Sequence, residues 1–178
     1  VDALKVLEEF LNTVDERSFS RHGRIHAGGE HLTSPGALAD WLAARDLADP
    51  GVELGQADLA DAIALRTSLR RSLGGDDDCG GGSTEAFADY PLQLAPGRSG
   101  ELRIAARSGR RWLDIVVETV AVAVCRGDWR RIKLCAAPDC RWAFHDTSRN
   151  GRGRWCDMNV CGNRHKTRVY RERHQQAT

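Results

Sequence analysis

Apolar side chains recur at helical intervals from the start of the chain. Leu4, Leu7, Phe10 or Leu11 and Val14 alternate with Glu8, Glu9, Asp15 and Glu16, which predicts an amphipathic helix over 3–17. Asn12-Thr13 interrupts this run with two side chains that compete for backbone groups; they are read as an outward polar pair. The period then lapses over 18–33, a polar connection carrying His22, His26 and His31 among Gly23, Gly28 and Gly29. Three histidines raise a second metal site or a pH-sensitive loop, but a glycine-rich segment without supporting contacts leaves them solvated. Ser34-Pro35 opens a second helix to about Asp46, with Leu38, Trp41 and Leu42 inward and Trp41 as a core anchor. After Pro50-Gly51, a third helix over Gln56 to Leu73 presents Leu59, Ile63, Leu65 or Arg66, Leu69 and Leu73; Arg66, Arg70 and Arg71 are placed on its solvated face.

The pattern then breaks at residues 74–84, Gly-Gly-Asp-Asp-Asp-Cys-Gly-Gly-Gly-Ser-Thr, which reads as a linker or mobile loop. It has neither the spacing of a calcium-binding EF-hand loop nor the Gly-Lys-Ser/Thr of a phosphate loop. Residues 91–95 and 101–105 alternate around Pro96-Gly97-Arg98-Ser99-Gly100 and predict a strand-turn-strand unit. Trp112 to Cys125 is apolar apart from Asp114, Glu118 and Thr119. It reads as a buried helix, although its valines leave a strand open. Residues 129–134 alternate as a strand. Residues 141–145 form its return arm, with Trp142 or Phe144 filling a small core, and 148–154 are a flexible basic loop.

Composition changes this picture through charge. The chain of 178 residues has a net charge of +1, but residues 1–125 hold 13 Lys and Arg against 20 Asp and Glu, a net −7. Residues 126–178 hold 13 against 5, a net +8. An acidic body joined to a basic end points to a polyanionic partner for the end. No apolar run approaches a membrane span and no signal peptide is visible, so a cytoplasmic chain without membrane contact is expected. Nucleophile triads, metalloprotease helices and dinucleotide fingerprints are missing at recognisable spacing, and no enzymatic activity is expected.

Chemistry concentrates in the cysteines. Cys135-Ala-Ala-Pro-Asp-Cys140 and Cys156-Asp-Met-Asn-Val-Cys161 are two pairs with identical spacers, and Cys79 and Cys125 are left over as incidental thiols. Two short loops bearing two thiolates each can converge on one tetrahedral zinc ion, with Pro138-Asp139 bending the first. The alternatives are two disulfides or four unrelated thiols, but disulfides suit small secreted domains. A closed all-cysteine site leaves no position for a catalytic water, so the zinc is expected to be structural. A helix beginning near 156–161 follows and carries Arg164, Arg168 and Arg171 at i, i+4, i+7, with Lys166 and Arg173 on the adjoining face.

Phe144-His-Asp-Thr-Ser148, Arg154-Trp-Cys-Asp-Met158, and Cys161-Gly-Asn-Arg164 with Lys166 and Arg171 beyond resemble the CGNR zinc finger family over about forty residues, Cys135 to Arg173. In that family the finger usually follows an ABATE domain, and the pair is regarded as a stress-induced bacterial transcription regulator. Phe10-Leu-Asn-Thr13, Leu32-Thr-Ser34 and Ala39-Asp-Trp-Leu42 resemble that domain more loosely. The resemblance opens a buried or ligand-facing role for Asn12 and Thr13. The expected fold is α+β, with a mainly helical ABATE-like sensor domain with a small β-hairpin at 1–125. A treble-clef-like zinc finger, hairpin plus C-terminal helix, follows at 126–178. Cys135, Cys140, Cys156 and Cys161 are the expected zinc ligands. Arg152, Arg154, Arg164, Lys166, Arg168, Arg171 and Arg173 are the expected nucleic-acid contacts, with Arg149 beside them. Asn163 and Arg164 have an alternative role bracing the finger, Arg164 pairing with Asp146. DNA is the expected partner, a small-molecule effector is expected for the sensor body, and self-association is left open. The rival reading is a protein-interaction or scaffold module with purely structural zinc.

Overall fold

A computed structural model describes residues 2–21, 23–74, 87, 89–97 and 99–175. His22, Cys79 and the rest of 75–84 in the predicted mobile loop lie outside the described residues. The architecture is α+β. Helix α1 (Ala3–Leu11) precedes two small antiparallel ladders. One pairs β1 (Val14–Asp15) with β4 (Gly29–Glu30), and the other pairs β2 (Ser20–Arg21) with β3 (Arg24–Ile25). Then come α2 (Pro35–Ala43), α3 (Gln56–Leu73), the hairpin β5 (Leu92–Pro96) with β6 (Leu102–Ala106), and α4 (Arg111–Arg126). The C-terminal part holds β7 (Ile132–Leu134) paired with β8 (Ala143–His145), a π-helical turn at Met158–Gly162, and α5 (Asn163–Gln175).

The main core gathers Leu7, Phe10 and Leu11 from α1, Leu38 and Leu42 from α2, Leu65 and Leu69 from α3, and Trp112, Leu113 and Val116 from α4. Each such side chain contributes about 1.5–3 kcal/mol on full burial. Ser34 caps α2 by accepting from Ala37 N at 3.1 Å, as the Ser-Pro signal predicts. Trp41 is only half-buried and packs against Phe10, with centroids 5.7 Å apart. Gly127, at φ 79°, ends α4 in the left-handed conformation that favours glycine. Residues 129–131 are a 3-10 turn, so the strand there begins only at Ile132.

Helix α1 stops at Leu11 rather than continuing to 17, because the side chains that follow are used inward. Asn12 and Thr13 are buried, not turned to solvent. Asn12 Nδ2 donates to Ala143 O and Ala143 N donates to Asn12 Oδ1, both at 2.8 Å. One turn earlier, Glu8 Oε2 accepts from His145 N at 3.1 Å, and burial raises the Glu8 pKa above its ordinary value. Four residues of helix rise about 6 Å, close to the rise of two strand residues, so positions 8 and 12 match 145 and 143.

The arginines of α3 also differ from expectation. Arg66 and Arg70 are 3% and 6% exposed. Arg66 grips Glu30 through two bonds of 2.7 and 2.5 Å and donates to Thr13 Oγ1 at 2.9 Å. Arg70 donates to Leu11 O, Arg141 O and Glu16 Oε2 at 2.9, 2.9 and 2.6 Å. Arg70 thereby joins the end of α1 to the segment between the first cysteine pair and β8. The two buried guanidiniums are tolerated because carboxylates, carbonyls and the Thr13 hydroxyl take up their terminal nitrogens, while Arg66 Nε is left without a partner among the described residues.

Candidate metal centre and nucleic-acid interface

The first cysteine pair sits on a turn that follows β7. Cys140 N donates to Ala137 O at 2.9 Å, and Cys135 N donates to Trp142 O at 2.9 Å as the chain returns into β8. The second pair sits at the start of the terminal helix. Asp157 Oδ1 accepts from Asn159 N at 2.7 Å and Val160 N at 3.2 Å, satisfying two orphan donors of the π-helical turn that delivers Cys161. Gly162 is buried there, where an added Cβ would lie 2.5 Å from Met158 Sδ and 3.3 Å from Trp155 Cδ1.

All four sulfurs lie within 4.8 Å of one another. Cys140 and Cys156 Sγ are 3.7 Å apart, and Cys156 and Cys161 Sγ are 3.8 Å apart. Thiolates at about 2.3 Å around a tetrahedral zinc stand about 3.8 Å from each other, so the cluster fits one zinc ion. Without a cation the thiols share protons: those of Cys140 and Cys156 stabilise a Cys135 thiolate and lower its pKa. The same contacts and crowding raise Cys140 and Cys156, while burial first and neighbouring sulfurs second push Cys161 up to about 12. A divalent cation at the centre would hold all four as thiolates.

Two guanidiniums flank the formal −2 charge of zinc with four thiolates. Arg164 Nη1 lies 3.8 Å from Cys161 Sγ, its Nη2 pairs with Asp139, and its guanidinium carbon is 3.7 Å from the Phe19 ring centroid. Arg17 stacks over Trp142 at 4.1 Å. Asp15 chiefly, and the Cys140 and Cys156 sulfurs to a lesser degree, hold Arg17 in its charged form. Arg164 therefore makes internal contacts of the kind its bracing alternative calls for, but its partner is Asp139, not Asp146. The Asn163 side chain donates to Asn159 O at 3.2 Å, one turn back along the helix. Arg17 and Phe19 were invisible in the sequence as site residues; they arrive from the N-terminal part, more than 110 positions before the first ligand.

Asp146 organises the loop that the sequence presents as flexible. It is 3% exposed and accepts from Lys133 Nζ at 2.6 Å, Gly153 N at 2.7 Å and Ser148 N at 3.0 Å. These partners, Lys133 first, hold its carboxyl below the usual carboxylate range. Lys133 also donates to Gly151 O and Gly153 O at 2.5 and 3.1 Å, so residues 146–153 close around one ion pair. Arg149, Arg152 and Arg154 stand exposed on this loop, Arg154 over the Trp155 ring at 5.3 Å. Trp155 in turn lies 4.8 Å from the His165 ring, linking the loop to α5.

Helix α5 buries no residue. Arg164, Arg168 and Arg171 line one groove of about 620 Å³, as their spacing predicts, and Arg21 lines it with them. Lys166 and Arg173 are exposed outside that groove. Arg168 makes a surface pair with Glu172 at 3.8 Å, an arrangement of small energetic weight. Elsewhere, α3, α4 and β5–β6 line an open apolar pocket of about 310 Å³ that includes Leu69, Tyr90, Leu92, Ile104 and Val120. Among the described residues no helix is long and apolar enough to cross a membrane.

Comparison with known proteins agrees with the geometry. Residues 131–174 match the CGNR zinc finger model. Residues 5–152 match the ABATE model, described as "putative stress-induced transcription regulator". The two matches overlap over 131–152, where Ile132 and Ala143 of the β7–β8 hairpin join the main core. No curated protein matches the chain. The zinc-fitting sulfur cluster completes a match spanning most of the sequence: the chain belongs to the ABATE family and carries a CGNR zinc finger at its C-terminal end.

Proposed function

We propose that the protein is a DNA-binding transcription regulator in which zinc held by Cys135, Cys140, Cys156 and Cys161 fixes α5 as the reading element. The observation that carries this is a helix with no buried side chain that displays Arg168, Arg171, Lys166 and Arg173 to solvent. Such a helix contributes nothing to a core, and its cations suit phosphates or guanine edges in a groove. Zinc acts as a structural staple: it neutralises the sulfurs and sets the start of α5, while Arg164 and Asp139 lock its first turn. Arg152 and Arg154, on a loop held by Asp146, add phosphate contacts. Residues 1–125 serve as a body responding to a small effector and 126–178 as the finger; the apolar pocket beside α4 suits an apolar effector.

The test is a mobility-shift and anisotropy series on duplex DNA with zinc content measured on the same sample. Binding should weaken steeply with salt, and Arg168→Glu with Arg171→Glu should abolish it while zinc stoichiometry and melting temperature hold. Salt-insensitive or absent binding by the zinc-loaded wild type would reject the reading. Leu94 and Leu102, 70% and 69% exposed on β5–β6, favour a second reading in which this hairpin contacts a protein or another copy of the chain.

A further inference from the structure

The ladder β2–β3 forms a short arm whose charges the fold leaves unanswered. Arg21 and Arg24 face each other directly in register, a like-charge pairing that weakens a ladder. Neither has a carboxylate partner among the described residues, whereas Arg164 and Arg168 face Asp139 and Glu172. Nor does the ladder bury its apolar side chain, since Ile25, paired with Ser20, is 81% exposed.

Its base, by contrast, is fixed to the metal centre. Phe19 is buried in the cluster that contains Cys135, Cys140 and Cys161, beneath the Arg164 guanidinium. Ser18 N donates to Asp139 O at 2.9 Å, and His26 N donates to Phe19 O at 2.8 Å, closing the arm. Gly23, at φ +75°, sits in the turn. Arg21 Nη2 donates to Asn159 O at 3.3 Å, which places its guanidinium at the start of the zinc helix and in the groove with Arg164, Arg168 and Arg171. From position 164 to 171 the helix advances about 10 Å, so the arm extends a cationic track that already spans about three nucleotide steps of one strand.

We propose that Arg21 and Arg24 bind DNA phosphates beside α5, so that the nucleic-acid surface is built from both ends of the chain and the arm orients the finger on the duplex. The inference rests on the DNA-binding reading and adds a contact outside the finger. An anionic strand laid along the groove relieves the Arg21–Arg24 repulsion, which a purely structural arm would have no reason to retain.

The experiment measures anisotropy of the zinc-loaded full chain on duplex DNA against NaCl concentration. Each phosphate contact contributes about 0.9 to the slope of log K against log salt, so Arg21→Ala with Arg24→Ala should lower the slope by roughly 1 to 2 and weaken binding roughly 10- to 100-fold near 0.1 M salt. The charge-matched pair Arg107→Ala, just after β6, with Arg111→Ala, at the first residue of α4, should leave the slope unchanged. Should the double arm variant lose zinc, Arg24→Glu decides alone, since Arg24 is exposed and its reversal should still reduce the slope. An unchanged slope in a zinc-loaded arm variant, with Arg168→Glu and Arg171→Glu still abolishing binding, overturns this inference and spares the finger reading. Absence of wild-type binding overturns both.

Discussion

The helical body and the sulfur cluster hold together by different means. The body packs four helices around Leu7, Phe10, Leu11, Leu38, Leu42 and Leu69, enough apolar surface to order itself. The cluster has Phe19, Ala137 and Phe144 as its buried carbon side chains beside three buried cysteines, too few to offset the entropy of ordering the chain around them. A metal supplies that deficit. Yet the two regions are not independent, because Asn12, Arg70 and Glu8 reach from the body into the segment between the cysteine pairs. Stability is therefore divided by mechanism while geometry is shared.

Four perturbations break or sharpen this contrast. The largest follows metal removal: structural zinc contributes about 10–16 kcal/mol of apparent binding energy in small fingers. Chelation or Cys156→Ser should unfold residues 135–175 and loosen 14–31 in hydrogen exchange, while α1 to α4 keep their helical circular dichroism. Next comes Phe10→Ala, which opens a cavity in the body at about 3–5 kcal/mol. It should lower the melting temperature of the body with one zinc still bound per chain. Asn12→Ala should cost about 1–3 kcal/mol by stranding both polar groups of Ala143. Measured as chelator sensitivity as well as melting, it should affect both regions, whereas Phe10→Ala should act mainly on the body.

The smallest effect is the acid limb set by Asp146. Its folded pKa lies below the ordinary 3.8, so its contribution is complete above that range and fades as pH falls below about 3.8. The difference in stability between wild type and Asp146→Asn, followed from pH 6 to pH 3, should shrink at the acid end. Taking the difference cancels sulfur protonation common to both proteins.

What the sequence revealed and concealed follows the same division. Periodicity marked α3 at Gln56–Leu73, the β5–β6 hairpin and α4 within a residue or so, because each is decided by neighbours three, four or two positions away. Matched spacers marked the four cysteines, since ligand type and loop length are local facts. Asn12, Thr13, Arg66 and Arg70 were misplaced because residue type argues for solvent, and the partners that make burial tolerable lie 36 to 131 positions distant or in the backbone. The sequence pairs Arg164 with Asp146, and only the closed turn between Cys135 and Cys140 brings Asp139 to it instead. Phe19 looked like one more loop residue until the fold carried it to the sulfurs.

Helix α1 does more than pack on β8. Ala143 and His145 present their outward backbone groups on the unpaired side of a two-stranded ribbon, the place where a foreign strand would add and begin an aggregate. The amide of Asn12 and the carboxylate of Glu8 occupy those groups in the manner of a third strand made only of side chains. A small ribbon with an otherwise open edge is thereby protected from recruiting its own kind.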